Sequence, residues 1–344
     1  MIDETPNEWH ERLRSLVQES DPSAGSLFEP SNFNHFVQTC RVSDWQHLVG
    51  LFNNELSSPQ WIFRGQASAD WPLISYLERL ITKFIPVPTP IGDMVLGPVR
   101  FFPAASESRL LADFKRRAHH YCGDVPKEDE AVDWLVLMQH YGAPTRLLDW
   151  TRSPYVGAFF ALEQSSYPEC AMWAVDSDWL IGTAVEALKK AQESSSDLTG
   201  LQFLTEYTNR NLLKTKNPSV ATIVDPKRMN ERVAAQQGVF LTNLSHDEEF
   251  CVSLMRMLAD SLPQLPPIWK IVMRTAERFV VLRELRRMNI TRASLFPGLD
   301  GFASSLRLDL ECGIDETFLI HNNFFACPEP GTGMSTELKG HSPK

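Results

Sequence analysis

Apolar residues recur at spacings of three and four over 129–140, where Ala131, Trp134, Leu135, Met138 and Tyr141 would share one helical face. Another helix is expected over about 106–121, and Gly142 and Pro144 stop the second one. The first clear strand is earlier: Trp61-Ile62-Phe63 runs straight into the polar Arg64-Gly65-Gln66. A strand over 145–149 precedes a helix opening near Ser153-Pro154, where a proline's missing amide costs nothing. Val156, Ala158, Phe159, Phe160 and Leu162 give that helix a buried composition, and a strand at 171–175 and a helix at 178–192 follow.

The second half alternates less cleanly. Strands are expected at 221–224, 239–242 and 269–273, with a helix at 227–236. An amphipathic helix covers 275–288, with Phe279, Leu282, Leu285 and Met288 on one side and Arg283, Arg286 and Arg287 on the other, most simply a solvated face. The stretch from Leu299 to about Leu310 reads as a last core helix. Residues 85–104 carry prolines that forbid a regular helix or a central strand, so they read as an ordered surface loop. Residues 1–30 show no sustained period. With no internal repeat and no convincing linker, the pattern predicts one α+β domain over 31–325, a mixed or antiparallel sheet with surrounding helices. A lead-in segment, 1–30, precedes it, and a flexible tail, 326–344, follows.

Composition narrows the function classes. A chain of 344 residues, 43% hydrophobic and 22% charged, can bury a large core and is neither disordered nor fibrous. The net charge of -10 argues against general binding of a nucleic-acid backbone, which needs clustered Lys and Arg, but leaves room for a local basic pocket. Cys40, Cys122, Cys170, Cys251, Cys312 and Cys327 form no CxxC pair, so they are expected to be buried free thiols, with no metal site. The acidic N-terminus and the lack of a long apolar run predict a cytoplasmic protein without membrane contact.

Candidate chemistry lies where polar residues interrupt the buried elements. Arg64 at a strand end can clamp an anionic or planar ligand, with Gly65 allowing close approach and Gln66 beside it; alternatively, Arg64 pairs with a core carboxylate such as Asp149. Around the next turn, His140 can act as a base or donor, Tyr141 can stack on a ring, and Asp149 can orient Arg64 or Arg146. Thr145 and Asp149 can equally satisfy the turn or cap the helix that follows. Gln236 and Gln237, at a helix end before a glycine, can read donors and acceptors of a ligand or cap the backbone. No G-x-G-x-x-G follows the first strand, and the P-loop, H-E-x-x-H and G-x-S-x-G signatures are absent.

Four segments carry a resemblance: W-I-F-R-G-Q at 61–66, M-Q-H-Y-G-A-P-T-R-L-L-D-W-T-R-S-P at 138–154, E-R-V-A-A-Q-Q-G-V-F at 231–240 and L-R-R-M-N-I-T-R-A-S-L-F-P-G-L-D-G at 285–301. In order and spacing they resemble the FRG-domain family. The resemblance implies a bacterial or phage setting, an association with defence or toxin-like modules, and an ADP-ribosyltransferase-like fold. It would make Arg64 the NAD-holding residue and Thr151 or Tyr141 the residue flanking the nicotinamide. Gln236 and Gln237 stand where that comparison has a glutamate, whose charge an amide cannot supply. The implied site is therefore Arg64, Tyr141 and Gln236 as catalytic residues, with Gly65, Gln66, His140, Thr145, Arg146, Asp149, Thr151 and Gln237 as ligand contacts. NAD is the implied substrate, with a protein, a nucleic acid or water receiving ADP-ribose. The alternatives are a non-catalytic module that binds a nucleotide or a protein, and a scaffold of buried polar networks.

Overall fold

The computed structural model describes residues 4–19, 27–88, 94–100, 103–192, 200–214 and 216–312. Its first half contains α1 (Pro6–Glu19), β1 (Gln38–Val42), α2 (Trp45–Asn53), β2 (Trp61–Gln66), α3 (Tyr76–Ile81), β3 (Thr82–Pro88), β4 (Met94–Arg100) and α4 (Pro103–Ala118). Then come α5 (Ala131–His140), β5 (Leu148–Thr151), α6 (Pro154–Leu162), β6 (Glu169–Asp176), α7 (Ser177–Gln192), α8 (Gly200–Asn211) and β7 (Ala221–Val224). The chain continues through α9 (Glu231–Ala235), β8 (Gly238–Asn243), α10 (Phe250–Ser261), β9 (Ile268–Arg274), α11 (Arg278–Arg287), α12 (Arg292–Leu295) and α13 (Leu299–Cys312).

Seven strands form one sheet in the order β1-β9-β6-β2-β5-β8-β7. Only β1 and β9 run parallel; the other neighbours are antiparallel, so the fold is α+β with a mixed sheet. Alternation along β2 sorts its side chains onto two cores, because successive residues point to opposite faces. Ile62 joins a core with α1, α5, α7, α8 and α10, while Trp61 and Phe63 join a second core with α2, α6 and α11. Among the described residues no helix is long and apolar enough to cross a membrane.

Several elements differ from the sequence expectation. Helix α1 lies inside the segment read as aperiodic: Trp9 and Leu13 are fully buried, and the Trp9 indole donates to Phe36 O at 3.2 Å. Trp9, Leu13, Leu16 and Val17 have the i, i+4, i+7, i+8 spacing of one helical face, so this period is present in the sequence over a stretch too short to stand out within 1–30. Residues 82–88 and 94–100 pair as a two-stranded ribbon separate from the main sheet. Each strand of such a ribbon has a free edge, which prolines tolerate. Helix α13 is not a core helix, since Leu299, Phe302, Leu306 and Leu310 are all exposed. It turns Gly301 and Ser305 inward instead, and a Cβ at Gly301 would come within 1.8 Å of Phe296 O. On α11 the buried stripe is Val281, Leu282 and Leu285, with Phe279 and Met288 exposed. Cys40, Cys170 and Cys251 are buried free thiols, whereas Cys122 is partly exposed. Burial pushes the Cys170 thiol up to about 12, which suppresses its thiolate. The expected tail at 326–344 lies outside the described residues.

Candidate functional site: an arginine-lined crevice in the sheet

The middle of the sheet is incompletely zipped. Strand β2 pairs with β6 from Trp61 to Gln66, and β5 pairs with β8 from Leu148 to Thr151. Yet β2 and β5 meet only at Phe63 and Thr151. Beyond that point a ladder carbonyl would be left open, and Arg64 Nη1 donates to Asp149 O at 2.6 Å. The arginine thus replaces a strand–strand bond with a side-chain bond, satisfying a backbone acceptor that needs a partner.

A pocket of about 750 Å³ opens over this gap. Four guanidinium groups line it, those of Arg64, Arg79, Arg232 and Arg292, against the carboxylates of Asp149 and Glu163. Asp149 Oδ1 accepts from Gln139 Nε2 at 2.7 Å, and Glu163 Oε1 accepts from Arg292 Nη1 at 2.7 Å. Phe296 lies between two cations, with the Arg232 and Arg292 guanidinium carbons each 4.4 Å from its ring centre. Such stacking suits arginine, whose weakly hydrated planar group covers an aromatic face well.

The electrostatics favour an anion. Burial presses the Arg64 pKa below its ordinary value; Asp149 opposes this and the Arg79 charge adds to it. Arg232 is depressed in the same way, by burial first, with Asp149 opposing and Arg292 adding. Guanidinium groups stay protonated in proteins, so both cations are held where burial opposes their charge and Asp149 offsets part of that cost. Hydrogen bonding gives the same picture: Arg64 Nε, Trp150 Nε1 and Arg292 Nε are buried donors without a partner among the described residues, and all three residues line the pocket. Arg232 makes no side-chain hydrogen bond among the described residues.

Of the residues singled out in the sequence, Arg64, Gly65, Gln66, Asp149, Thr151 and Gln236 line this pocket. Their contacts differ from those expected. Gly65 serves helix packing: a Cβ there would fall 2.2 Å from Ala161 N and 2.4 Å from Gly157 O, so α6 occupies the approach expected for a ligand. Gln66 is buried, accepting from Trp173 Nε1 at 2.7 Å and donating to Pro72 O at 3.2 Å. Gln236 donates to Leu295 O at 3.0 Å and Thr151 Oγ1 donates to Gln236 O at 2.6 Å, tying α9 to α12 and β5. Asp149 is exposed and orients neither arginine through its carboxylate; Arg64 takes its carbonyl instead.

The others do not line it. Tyr141 is 65% exposed at the end of α5, beside His140. His140 Nδ1 is buried without a partner, and burial, then Arg232, lowers its pKa. Thr145 donates to Gln139 Oε1 and accepts from Leu147 N at 3.3 Å, so residues 145–147 form a turn and β5 starts three residues later than expected. Gln237 is exposed with φ 48°, and its carbonyl accepts from Arg152 N at 3.0 Å. Arg146 is buried elsewhere: its Nε donates to both Glu107 oxygens at 2.9 and 2.7 Å, and Nη1 donates to Asn243 O at 3.1 Å. His246 closes that network, and burial, then the Arg146 charge, depresses its pKa.

Sequence reasoning missed Arg79, Arg232, Arg292, Glu163, Trp71 and Tyr167. Arg232 and Arg292 lie inside two of the quoted segments, where the glutamines of the first and the arginines of α11 in the second are the more conspicuous polar groups. Their relevance depends on Phe296, which brings both together.

No curated protein and no solved structure matches the chain. The segments at 231–240 and 285–301, which supply Arg232 and Arg292, lie outside the one stretch that does match a known family. Residues 59–170, which carry β2 with Arg64 and β5 with Asp149, match the FRG domain.

Proposed function

We propose that the crevice binds a nucleotide through its phosphates, with NAD as the leading ligand. The observation that carries this reading is the set of unpartnered buried donors on Arg64, Trp150 and Arg292 in one pocket. A buried donor without a partner is costly, and three such donors on residues that line one crevice suit a ligand rich in acceptor oxygens. Phosphate supplies such oxygens together with negative charge, of which the pocket holds two carboxylates against four arginines, with Glu163 already paired with Arg292.

A second reading, cleavage of the nicotinamide–ribose bond, draws on Glu163 and Asp149 in the same pocket. In that reaction the C1′–N bond breaks with its electron pair leaving on nicotinamide. The developing positive sugar is stabilised by a carboxylate, and an acceptor oxygen or nitrogen attacks C1′ and loses its proton. Glu163 suits the stabilising role better than Gln236, whose amide is bonded to Leu295 O and carries no charge. Glu163 is itself paired with Arg292, so cleavage requires that pair to part or the carboxylate to act through its free edge. A cytoplasmic, NAD-depleting activity would fit the defence or toxin-like role, with a protein, a nucleic acid or water as acceptor.

Titrating the protein with NAD tests both readings. Arg232→Ala should weaken binding about tenfold or more, the loss expected for one charge-assisted contact to phosphate. Unchanged affinity in Arg232→Ala would overturn the phosphate assignment. On the same samples, nicotinamide release that disappears in Glu163→Gln supports cleavage; binding without release supports the non-catalytic module.

A further inference from the structure

The arginines account for phosphates but leave one end of the crevice unexplained. Trp71 and Tyr167 line the same pocket, are 44% and 42% exposed, and meet edge to face with ring centres 5.5 Å apart. A single exposed aromatic residue is ordinary, whereas two in contact on the rim of a cationic crevice form a surface suited to a planar ring.

Their backbone is held in place. Ala69 N donates to Glu169 O at 3.0 Å, fastening the loop that bears Trp71 to the start of β6. Thr275 Oγ1 donates to Tyr167 O at 2.6 Å and to Pro168 O at 3.1 Å, fixing the other side. A rim held this way loses little freedom when a ligand stacks on it.

Chain topology separates this rim from the phosphate-binding arginines. Trp71 follows β2 and Tyr167 precedes β6, whereas Arg232 is on α9, which leads into β8 on the other side of β5. Arg64 lies between them on β2. We infer that Trp71 and Tyr167 form a ring subsite, so that the crevice selects a nucleoside phosphate, its ring on this rim and its phosphates toward Arg64, Arg232 and Arg292. This inference rests on the phosphate reading and adds the part of the ligand that distinguishes a nucleotide from an inorganic anion.

Calorimetric titration with two probes, ADP and inorganic pyrophosphate, separates the two claims. Wild-type protein should bind ADP more tightly than pyrophosphate. Trp71→Ala should weaken ADP about 5- to 150-fold, the range expected for loss of one base–aromatic stack, and leave pyrophosphate within about twofold. Trp71→Phe should restore most of the ADP affinity, and circular dichroism should show each variant folded, as befits an exposed position. Equal affinity of the wild type for both probes, or equal losses for both probes in Trp71→Ala, would overturn the ring subsite while leaving anion binding intact. Binding of neither probe by the wild type would overturn the phosphate reading and the subsite together.

Discussion

Replacing Arg146 with alanine is expected to destabilise the protein by about 3–5 kcal/mol, the cost of leaving a buried charge without its partner. Glu107 is 1% exposed and has Arg146 as its ion-pair partner. The same guanidinium donates to Asn243 O and Leu244 O at the end of β8, so its removal also strands two backbone acceptors. In the wild type burial, then the Arg146 charge, lowers the His246 pKa while Glu107 raises it; removing Arg146 leaves burial as the main effect opposing a proton there. The double variant Arg146→Met with Glu107→Gln should recover part of the loss, since it removes both charges rather than one. Urea unfolding measures this directly through the midpoint; a fall of less than about 1 kcal/mol would show that the pair is not the isolated buried network described here. This outcome matters for function because Arg146 stands in the same segment as Asp149. Arg146 then belongs to the scaffold, and its loss acts through folding.

Gly65→Ala is the second large effect, expected at about 3 kcal/mol, the upper end of ordinary overpacking costs. The added methyl would meet backbone atoms, Ala161 N at 2.2 Å, Gly157 O at 2.4 Å and Phe160 C at 2.7 Å, and none of these can rotate away. Gly157 makes the same approach from the helix side, where a Cβ would lie 2.8 Å from Phe63 Cβ. Strand β2 and helix α6 are therefore in backbone contact, and the second core depends on that distance. Any accommodation must push α6 outward, carrying Phe160 and Glu163 away from the crevice they line. Unfolding of Gly65→Ala should show the loss of stability even without a ligand. An alanine variant as stable as the wild type would contradict the close approach of β2 and α6.

Much of the frame was legible because it is local. Helix α6 opens at Pro154 as the proline pattern implied, although its cap is Ser153, whose Oγ accepts from Val156 N at 3.3 Å, and not Thr145 or Asp149; the apolar runs of β6, β7, β8 and β9 form strands close to where they were expected. Helix α10 was missed although Cys251, Val252, Leu254, Met255 and Leu258 are all buried, since a helix buried on most sides shows no clean polar face to mark its period. Helix α13 differs in the opposite sense: its apolar residues suggest a core, but Leu299, Phe302, Leu306 and Leu310 are exposed and Gly301 is the residue that meets Phe296.

The site was legible in part for a related reason. Arg64 was found because a cation at the end of an apolar strand stands out locally. Its bond to Asp149 O depends on β2 and β5 parting after one pair, which no short pattern encodes. Arg232 and Arg292 are distant in sequence and converge only through Phe296. Tyr141 and Gln236 looked ligand-facing because aromatic and amide groups next to glycine often are; here one ends a helix in solvent and the other braces α9 against α12.

We propose the gap between β2 and β5 as the ligand site. Hydrogen exchange followed by mass spectrometry, with and without saturating NAD, tests it most directly. Bound NAD should slow exchange in peptides covering 63–66, 231–237 and 291–296, with little change in the Arg146–His246 region. Protection confined to other segments, or no protection under conditions where binding is measured, would contradict it.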